Sequence, residues 1–315
     1  TERDAWGDWC VPPEDLALIH TNDPSRITSK GVLATSFLYH DAKLMAKYAN
    51  MLGYTEDASY YASLADTLKE AFNRKYYKPE SGQYDNGTQT SFVLPLAFGM
   101  VPESEKARVF DNLVRNIEEK SNSHVGLGMV GIKYLYRVLT ENGRTDLAYT
   151  IATQPDYPGY GYMLSKGATT IWELWNGDTA DPEMNSDNHV MLLGDFIVWL
   201  YGFLAGILPD ADQPGFKHTI LKPCILQDMD HVKASYHSIQ GIIKSEWQVA
   251  DDEFAWTISI PPNTNATVYI PANADAVITE TGEALSRLKG VKMLGFQDGY
   301  EVIRIGSGTY HFKVK

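Results

Sequence analysis

The hydrophobic pattern of this 315-residue chain changes period near Ile207. Before that point apolar residues recur every three to four positions, and after it every two. The first period buries one stripe of a helix and the second buries one face of a strand, so the two parts need different architectures. In the first part Phe37/Leu38, Leu44/Met45, Tyr48 and Met51/Leu52 mark one helix face. Gly53 stops that helix, and Thr55 and Asp57 start a second with Tyr61, Leu64, Leu68 and Phe72 in register. Further helices are predicted over roughly 88–99, 104–118, 127–140, 144–153 and 188–206, for about eight before Ile207. Short polar turns alternate with longer loops at 80–87, 119–126, 154–170 and 176–187. Helical hairpins joined by alternating short and long links point to a toroid of paired helices, with function on the long-loop rim.

Pro209 and Pro214 mark a linker. Seven runs then follow with period two: 218–221, 232–237, 242–247, 254–260, 266–270, 302–305 and 310–314. Clusters of Gly, Pro, Asn and Asp separate them, which reads as an antiparallel β-sandwich. The expected domains are therefore 1–207, helical, and 208–315, all-β. Residues 207–315 hold 10 basic and 13 acidic residues, net −3, which leaves −10 of the total −13 on residues 1–206.

That charge excludes a duplex-binding protein, which needs a basic face to neutralise phosphates. The longest apolar run, Val190 to Ile207, is broken by Gly194-Asp195. A membrane span needs ~20 nearly uncharged residues, so this run is expected to be a buried helix and no membrane insertion is expected. Cys10 and Cys224 are the only cysteines, which is too few for a disulfide framework or a cysteine-rich zinc site. The eight His residues show neither H-E-x-x-H nor a two-His helical spacing, so no metal or other cofactor is expected. Gly126-Leu-Gly128-Met-Val-Gly131 matches G-x-G-x-x-G. The stretch before it, 118–123, is polar and not a strand, so a loop entering a helix is the better reading.

The segment 155–190 carries the chemistry. It holds six carboxylates, Asp156, Glu173, Asp178, Asp181, Glu183 and Asp187, against one cation, Lys166, with five large aromatics. Glu173 stands among Ile171, Trp172, Leu174 and Trp175. A carboxylate among apolar rings costs desolvation free energy unless it has a partner or a purpose. Rings stack on the apolar faces of sugars and carboxylates accept hydroxyl protons, so the segment fits carbohydrate chemistry. A helix-start Glu that is merely hydrogen-bonded is the plain alternative. Gly7-Asp8-Trp9 is a second cluster of the same kind. Gln89 and His124 lie on two of the long loops, where such residues are ordinarily plain polar ones.

Several motifs, in order along the chain, resemble bacterial α-L-rhamnosidases of glycoside hydrolase family 78. They are Gly7-Asp8-Trp9, Gly87-Thr88-Gln89-Thr90, Asp156-Tyr157-Pro158 with Gly161-Tyr162-Met163, Gly167-Ala-Thr-Thr-Ile-Trp-Glu173-Leu-Trp175, and Met184-Asn185-Ser186 with Asn188-His189. Pro214-Gly215-Phe216 and the run from Ala234 to Trp247 are similar to the family's C-terminal domain. The resemblance implies a partial (α/α)6 barrel of helical hairpins followed by an antiparallel β-sandwich. It implies hydrolysis of terminal α-L-rhamnose with inversion, a rhamnose-containing carbohydrate as partner, and no cofactor. By the motif match Glu173 is the general base. Trp9 and His189 line the rhamnose pocket, with Asp8 beside them. Tyr160, Trp172 and Trp175 are the further substrate-contact candidates, Tyr160 as an aromatic platform.

Two positions depart from the family pattern. Leu174 stands where Arg is usual, and Asp187 replaces a common Phe. The family's acidic, Arg-rich stretch that carries the general acid occurs nowhere in the 315 residues. In the family it precedes the Gly-Asp-Trp motif, so the acid is expected before Thr1, and the chain alone is expected to turn over rhamnosides very poorly. The alternatives are a hydrolase or lyase for another sugar on the same toroid, and a non-catalytic carbohydrate-binding fragment. Compartment and oligomeric state are not legible in these residues.

Overall fold

The structure is a computed structural model and describes residues 7–180, 186–251 and 253–315. Asp181 and Glu183 of the acidic window, Met184 and Asn185 of the His189 motif, and the first six residues lie outside the described residues. The chain forms two compact units that divide between Phe196 and Ile197.

The first unit is built of helices. The long pair α1 (Lys30–Met51) and α2 (Thr55–Tyr76) forms a hairpin. Its turn is tight because Gly53 takes φ +80° and the Tyr54 N–H reaches back to the Ala49 carbonyl at 2.8 Å. A two-stranded ribbon follows, β1 (Tyr77–Lys78) just before the expected loop 80–87 and β2 (Gln83–Tyr84) inside it. Next comes α3 (Gln89–Phe98), buried on nearly every side, with Thr88 capping it by accepting from the Ser91 N–H. A helix apolar all round belongs in the interior. α4 (Lys106–Arg115) runs on into a π-helical turn, Asn116–Lys120. α5 (Met129–Glu141) packs on α3, and α6 (Thr145–Ala152) packs on α5.

Three expectations need correction in this unit. The large apolar residues of α1 are not its buried face. Leu38, Met45, Tyr48, Met51 and Leu52 are exposed, and the helix instead buries Val32, Leu33, Ser36, Tyr39, Ala42 and Ala49. Of the expected stripe, Phe37 and Leu44 are partly buried, Phe37 with its ring against Phe98 and Tyr134. The loop 154–170 contains a short helix, α7 (Tyr160–Ser165). The single helix expected over 188–206 is three pieces: a 3₁₀ turn Val190–Leu193, α8 (Phe196–Trp199) and a π turn Leu200–Leu204. Gly194 at φ +54° breaks the run where its Cα abuts the backbone of Ile132 and Lys133. Val190, Met191, Ile197 and Val198 are exposed, so the run is not buried along its length. Among the described residues no helix is long and apolar enough to cross a membrane.

The second unit is a nine-stranded hydrogen-bonded sheet, mostly antiparallel. The strands are β3 (Ile207–Pro209), β4 (His218–Leu221), β5 (His231–Ser238), β6 (Gly241–Ala250), β7 (Glu253–Pro271), β8 (Ile278–Glu280), β9 (Glu283–Ala284), β10 (Lys292–Gln297) and β11 (Tyr300–Val314). The expected runs 254–260 and 266–270 are one strand, β7, and 302–305 with 310–314 are one strand, β11. The two pair along their length with a register shift between Gly306 and Gly308. That bulge, opposite Pro261-Pro262, lets each strand bend and serve both ends of the sheet. β4 pairs with β7 in parallel, a departure from the all-antiparallel expectation.

Alternation places Ile243, Trp247, Trp256, Ile258, Val268 and Phe312 in one core. Its polar atoms are paired in series: Trp256 Nε1 donates to Ser245 Oγ at 2.9 Å, and Ser245 Oγ donates to the Ala205 carbonyl at 2.6 Å. Trp247 Nε1 donates to the Leu204 carbonyl at 2.8 Å. Buried rings with satisfied N–H groups fix a single packing. Replacing Trp256 by Ala removes a fully buried ring and the N–H that donates to Ser245 Oγ. Urea unfolding is expected to show a loss of about 3–5 kcal/mol, and a loss below about 1 kcal/mol would contradict this account of the core.

Candidate active site

Glu173 and His189 come together because two stretches of loop pair like a short ribbon. The Glu173 N–H donates to the Ser186 carbonyl at 2.9 Å, and the His189 N–H donates to the Ile171 carbonyl at 2.7 Å. The Thr170 hydroxyl also donates to the Asp187 carbonyl. Alternation along 171–176 then turns Trp172 and Leu174 inward and leaves Glu173 partly open. The Glu173 side chain is 20% exposed and that of His189 is 31% exposed. Glu173 Oε2 accepts from the Ser186 N–H at 3.2 Å and lies 3.3 Å from His189 Nδ1. Among the described residues no donor is paired with Oε1. One carboxylate oxygen is therefore held in place on a side chain that remains partly exposed.

The Gly7–Trp9 segment is anchored elsewhere, on the first turn of α5. Asp8 Oδ2 accepts from the Gly128 N–H at 2.9 Å, and Oδ1 accepts from Val130 at 3.0 Å and Gly131 at 3.2 Å. The Thr90 hydroxyl donates to Oδ2. The Met129 N–H donates to the Trp9 carbonyl at 2.8 Å. Burial pushes the Asp8 carboxyl above its ordinary range, and the Thr90 hydroxyl and three backbone N–H groups pull the other way. Trp9 is half-buried, its ring edge-on to His20 with centroids 4.6 Å apart.

Cys10, next to Trp9, is buried and takes a left-handed backbone, φ +63°. Burial drives its thiol up to about 12, and the charges of Glu173 and then Asp8 add to the effect.

The remaining aromatic candidates are packing residues. Tyr160 is 8% exposed, its hydroxyl donates to the Leu192 carbonyl at 2.7 Å, and its ring lies against Trp175 and Phe196. An aromatic platform for sugar there is corrected to a core contact. Trp175 is buried and donates from Nε1 to the Leu127 carbonyl at 3.2 Å. Trp172 is buried against Gly177, where a Cβ would meet its ring at 2.8 Å. These rings brace Glu173 from behind.

Sequence reasoning missed Asn176. It is fully buried, and Nδ2 donates to the carbonyls of Leu16 and Leu18, each at 2.8 Å. It ties the Glu173 segment to the chain that follows Trp9. A buried Asn after two Trp is the signal that was available. Ser186 was quoted only as part of a motif.

A cleft of about 600 Å³ is lined by Val11, Glu14, Arg26, Thr88, Gln89, Asn116, Asn122, His124 and Tyr157, among others, and by neither Glu173 nor His189. Its polar groups hold loops. Gln89 donates to Ser121 Oγ and the His124 carbonyl and accepts from the Gly126 N–H; Asn116 donates to the Gly87 carbonyl. Size alone therefore does not mark the chemical centre. Among the described residues no group of three or more His, Cys, Asp or Glu could hold a metal ion.

A helical-hairpin unit followed by a mainly antiparallel sheet, with a loop-borne carboxylate and His on the helical unit, defines the class of a hairpin glycosidase with a C-terminal β-domain. The sequence profile of the bacterial α-L-rhamnosidase 6 hairpin glycosidase domain matches residues 1–204, and that of the bacterial α-L-rhamnosidase C-terminal domain matches 206–285. The chain belongs to the bacterial α-L-rhamnosidase family.

It is 33% identical to an α-L-rhamnosidase of Streptomyces avermitilis over 99% of this chain and 28% of that protein. It is 30% identical to one of Formosa agariphila over 100% of this chain and 34% of that protein. The crystal structure of the Streptomyces avermitilis enzyme complexed with L-rhamnose superimposes with a TM-score of 0.86 at 32% identity, covering 99% of this chain and 28% of that one. The α-L-rhamnosidase of Dictyoglumus thermophilum gives 0.85 at 32% identity, covering 98% and 34%. The chain thus spans about a third of the length of the curated relatives it matches.

The two cysteines give a direct check on this geometry. Cys10 is buried and its thiol stays protonated below about pH 12, whereas Cys224 is half-buried. A thiol reagent at pH 8 is expected to label Cys224 first and Cys10 only in denaturant. Fast labelling of Cys10 in the folded chain would mean that the Trp9–Cys10 segment is not held as described.

Proposed function

We propose that this chain carries the general-base half of an inverting α-L-rhamnosidase site. The observation that carries the reading is the Glu173 carboxylate, 20% exposed, with Oε2 held by the Ser186 N–H and 3.3 Å from His189 Nδ1. An inverting glycosidase needs a carboxylate that takes a proton from water as the water attacks the anomeric carbon, while an acid about 6.5–9.5 Å away protonates the leaving oxygen. Glu173 Oε1 is placed to take that proton. His189 then serves as a hydrogen-bonding group for a rhamnose hydroxyl, and Trp9 offers an indole face to the apolar side of the sugar.

The ligand class is supported by the names of the relatives, α-L-rhamnosidases, and by the rhamnose-bound structure of the Streptomyces avermitilis enzyme. Leu174, in the place of an expected Arg, is buried and faces away from the opening, so this departure bears on packing behind Glu173. The exposed apolar side of α1 fits a surface on which further hairpins of the same barrel pack.

Two outcomes test the reading. In a protein carrying this chain together with the whole barrel, Glu173→Gln is expected to lower kcat on an aryl α-L-rhamnoside by about 10³-fold with an unchanged Tm. Near-full activity would remove Glu173 from the role of base. The 315 residues alone are expected to show very little turnover of the same substrate, since no acidic, Arg-rich stretch occurs in them. An ordinary turnover number for the isolated chain would place both carboxyl groups within it.

A further inference from the structure

Gly126, Gly128 and Gly131 each clear a path for another part of the chain. A Cβ on Gly126 would lie 2.8 Å from Gln89 Nε2, one on Gly128 1.9 Å from the Trp9 carbonyl oxygen, and one on Gly131 2.4 Å from Thr90 Oγ1. The second contact is with backbone, so no side-chain adjustment relieves it. What approaches α5 through this gap is Asp8–Trp9. Gly128, Met129, Val130 and Gly131 all donate to it, three of them to the Asp8 carboxylate and one to the Trp9 carbonyl. The start of a helix favours an anion, and here the anion is a side chain of the same molecule.

We infer that Asp8 is a positioning residue for the sugar site: by clasping the first turn of α5 through the gap left by Gly128, it fixes the Trp9 backbone and so sets the direction of the indole. This deepens the proposed function and rests on its placing of Trp9 in the rhamnose pocket. Both Asp8 oxygens are already engaged, by four donors in all, so Asp8 acts through Trp9 rather than on the sugar. The next residue records the same constraint. Cys10, directly after Trp9, is buried and adopts a left-handed backbone, φ +63°. The chain therefore leaves the α5 clasp through a constrained backbone step.

The test reads Trp9 directly and its ligand separately. The full 315-residue chain is labelled with 5-fluorotryptophan, and the Trp9 resonance is assigned with Trp9→Phe. Asp8→Asn and Gly128→Ala are each expected to shift or broaden the Trp9 resonance and to leave those of Trp247 and Trp256 in place. Thr90→Val removes a single donor from Asp8 and is expected to give the same change on a smaller scale. It is the variant to read if the other two do not fold. An unmoved Trp9 resonance in the folded variants overturns the proposal.

L-rhamnose is then titrated into each variant. Asp8→Asn is expected to weaken binding by about fivefold or more, the scale of coupling between residues in contact, and to add nothing in a Trp9→Ala background. Loss of stability alone would move Tm and leave binding by the folded fraction unchanged. Equal effects of Asp8→Asn with and without Trp9 would overturn action through Trp9. Wild-type binding by Trp9→Ala would sink the placing of Trp9 in the pocket, while the resonance still decides whether Asp8 positions it.

Discussion

The first turn of α5 depends on acceptors from outside the helix, because its leading N–H groups have no partners within it. The chain supplies them from 120 residues away, with the Asp8 carboxylate and the Trp9 carbonyl. Much of the helical unit near the site follows from this contact. α5 packs on α3, whose N-terminal Gln89 holds the 121–126 loop and whose Thr90 donates to Asp8. The Leu127 carbonyl, one residue before the clasp, receives the N–H of Trp175, which lies behind Glu173. One charged group thus ties a terminal segment, two helices and the Glu173 loop into one arrangement. Hydrogen bonds to a charged acceptor are worth about 1.5–3 kcal/mol each, more than the neutral ones around them.

The site shows a division of labour among its aromatic residues. Tyr160, Trp172 and Trp175 face the interior and stiffen the wall, while Trp9 is half-buried at the edge. A wall of buried rings suits the proposed role of Glu173, since a carboxylate on a mobile loop would trade its water for bulk solvent. Asn176 extends the same logic by stitching the Glu173 loop to the carbonyls of Leu16 and Leu18. At the cleft near Gln89 and His124, the side chains of Gln89 and Asn116 are engaged with its own loops.

The sequence was most legible where function constrained it in short runs. Glu173 and His189 could be singled out because several motifs stand in order, and the structure puts the two side chains within 3.3 Å of each other. The change of period at Ile207 separated helices from strands. Legibility failed where the deciding contact is long-range. Nothing local distinguishes Asp8 as a helix cap from Asp8 as a sugar ligand. Much of the apolar stripe of α1 is chemically sound and still faces outward, while Ser36, Ala42 and Ala49 are buried. In the sheet, Pro261-Pro262 and Gly306–Gly308 look like ends of strands, yet β7 and β11 pass through them by bending together. Tyr160, Trp172 and Trp175 carry the residue type of a sugar platform and the burial of a core. Composition cannot tell these apart.

The glycine spacing at 126–131 is the pattern by which many proteins admit the phosphates of a nucleotide. Here the gap is filled from within, so the helix carries its counter-ion as part of the fold. A tethered carboxylate has an effective concentration that dissolved ions do not reach, so sulfate or phosphate in the surrounding solution has no vacancy to occupy at α5.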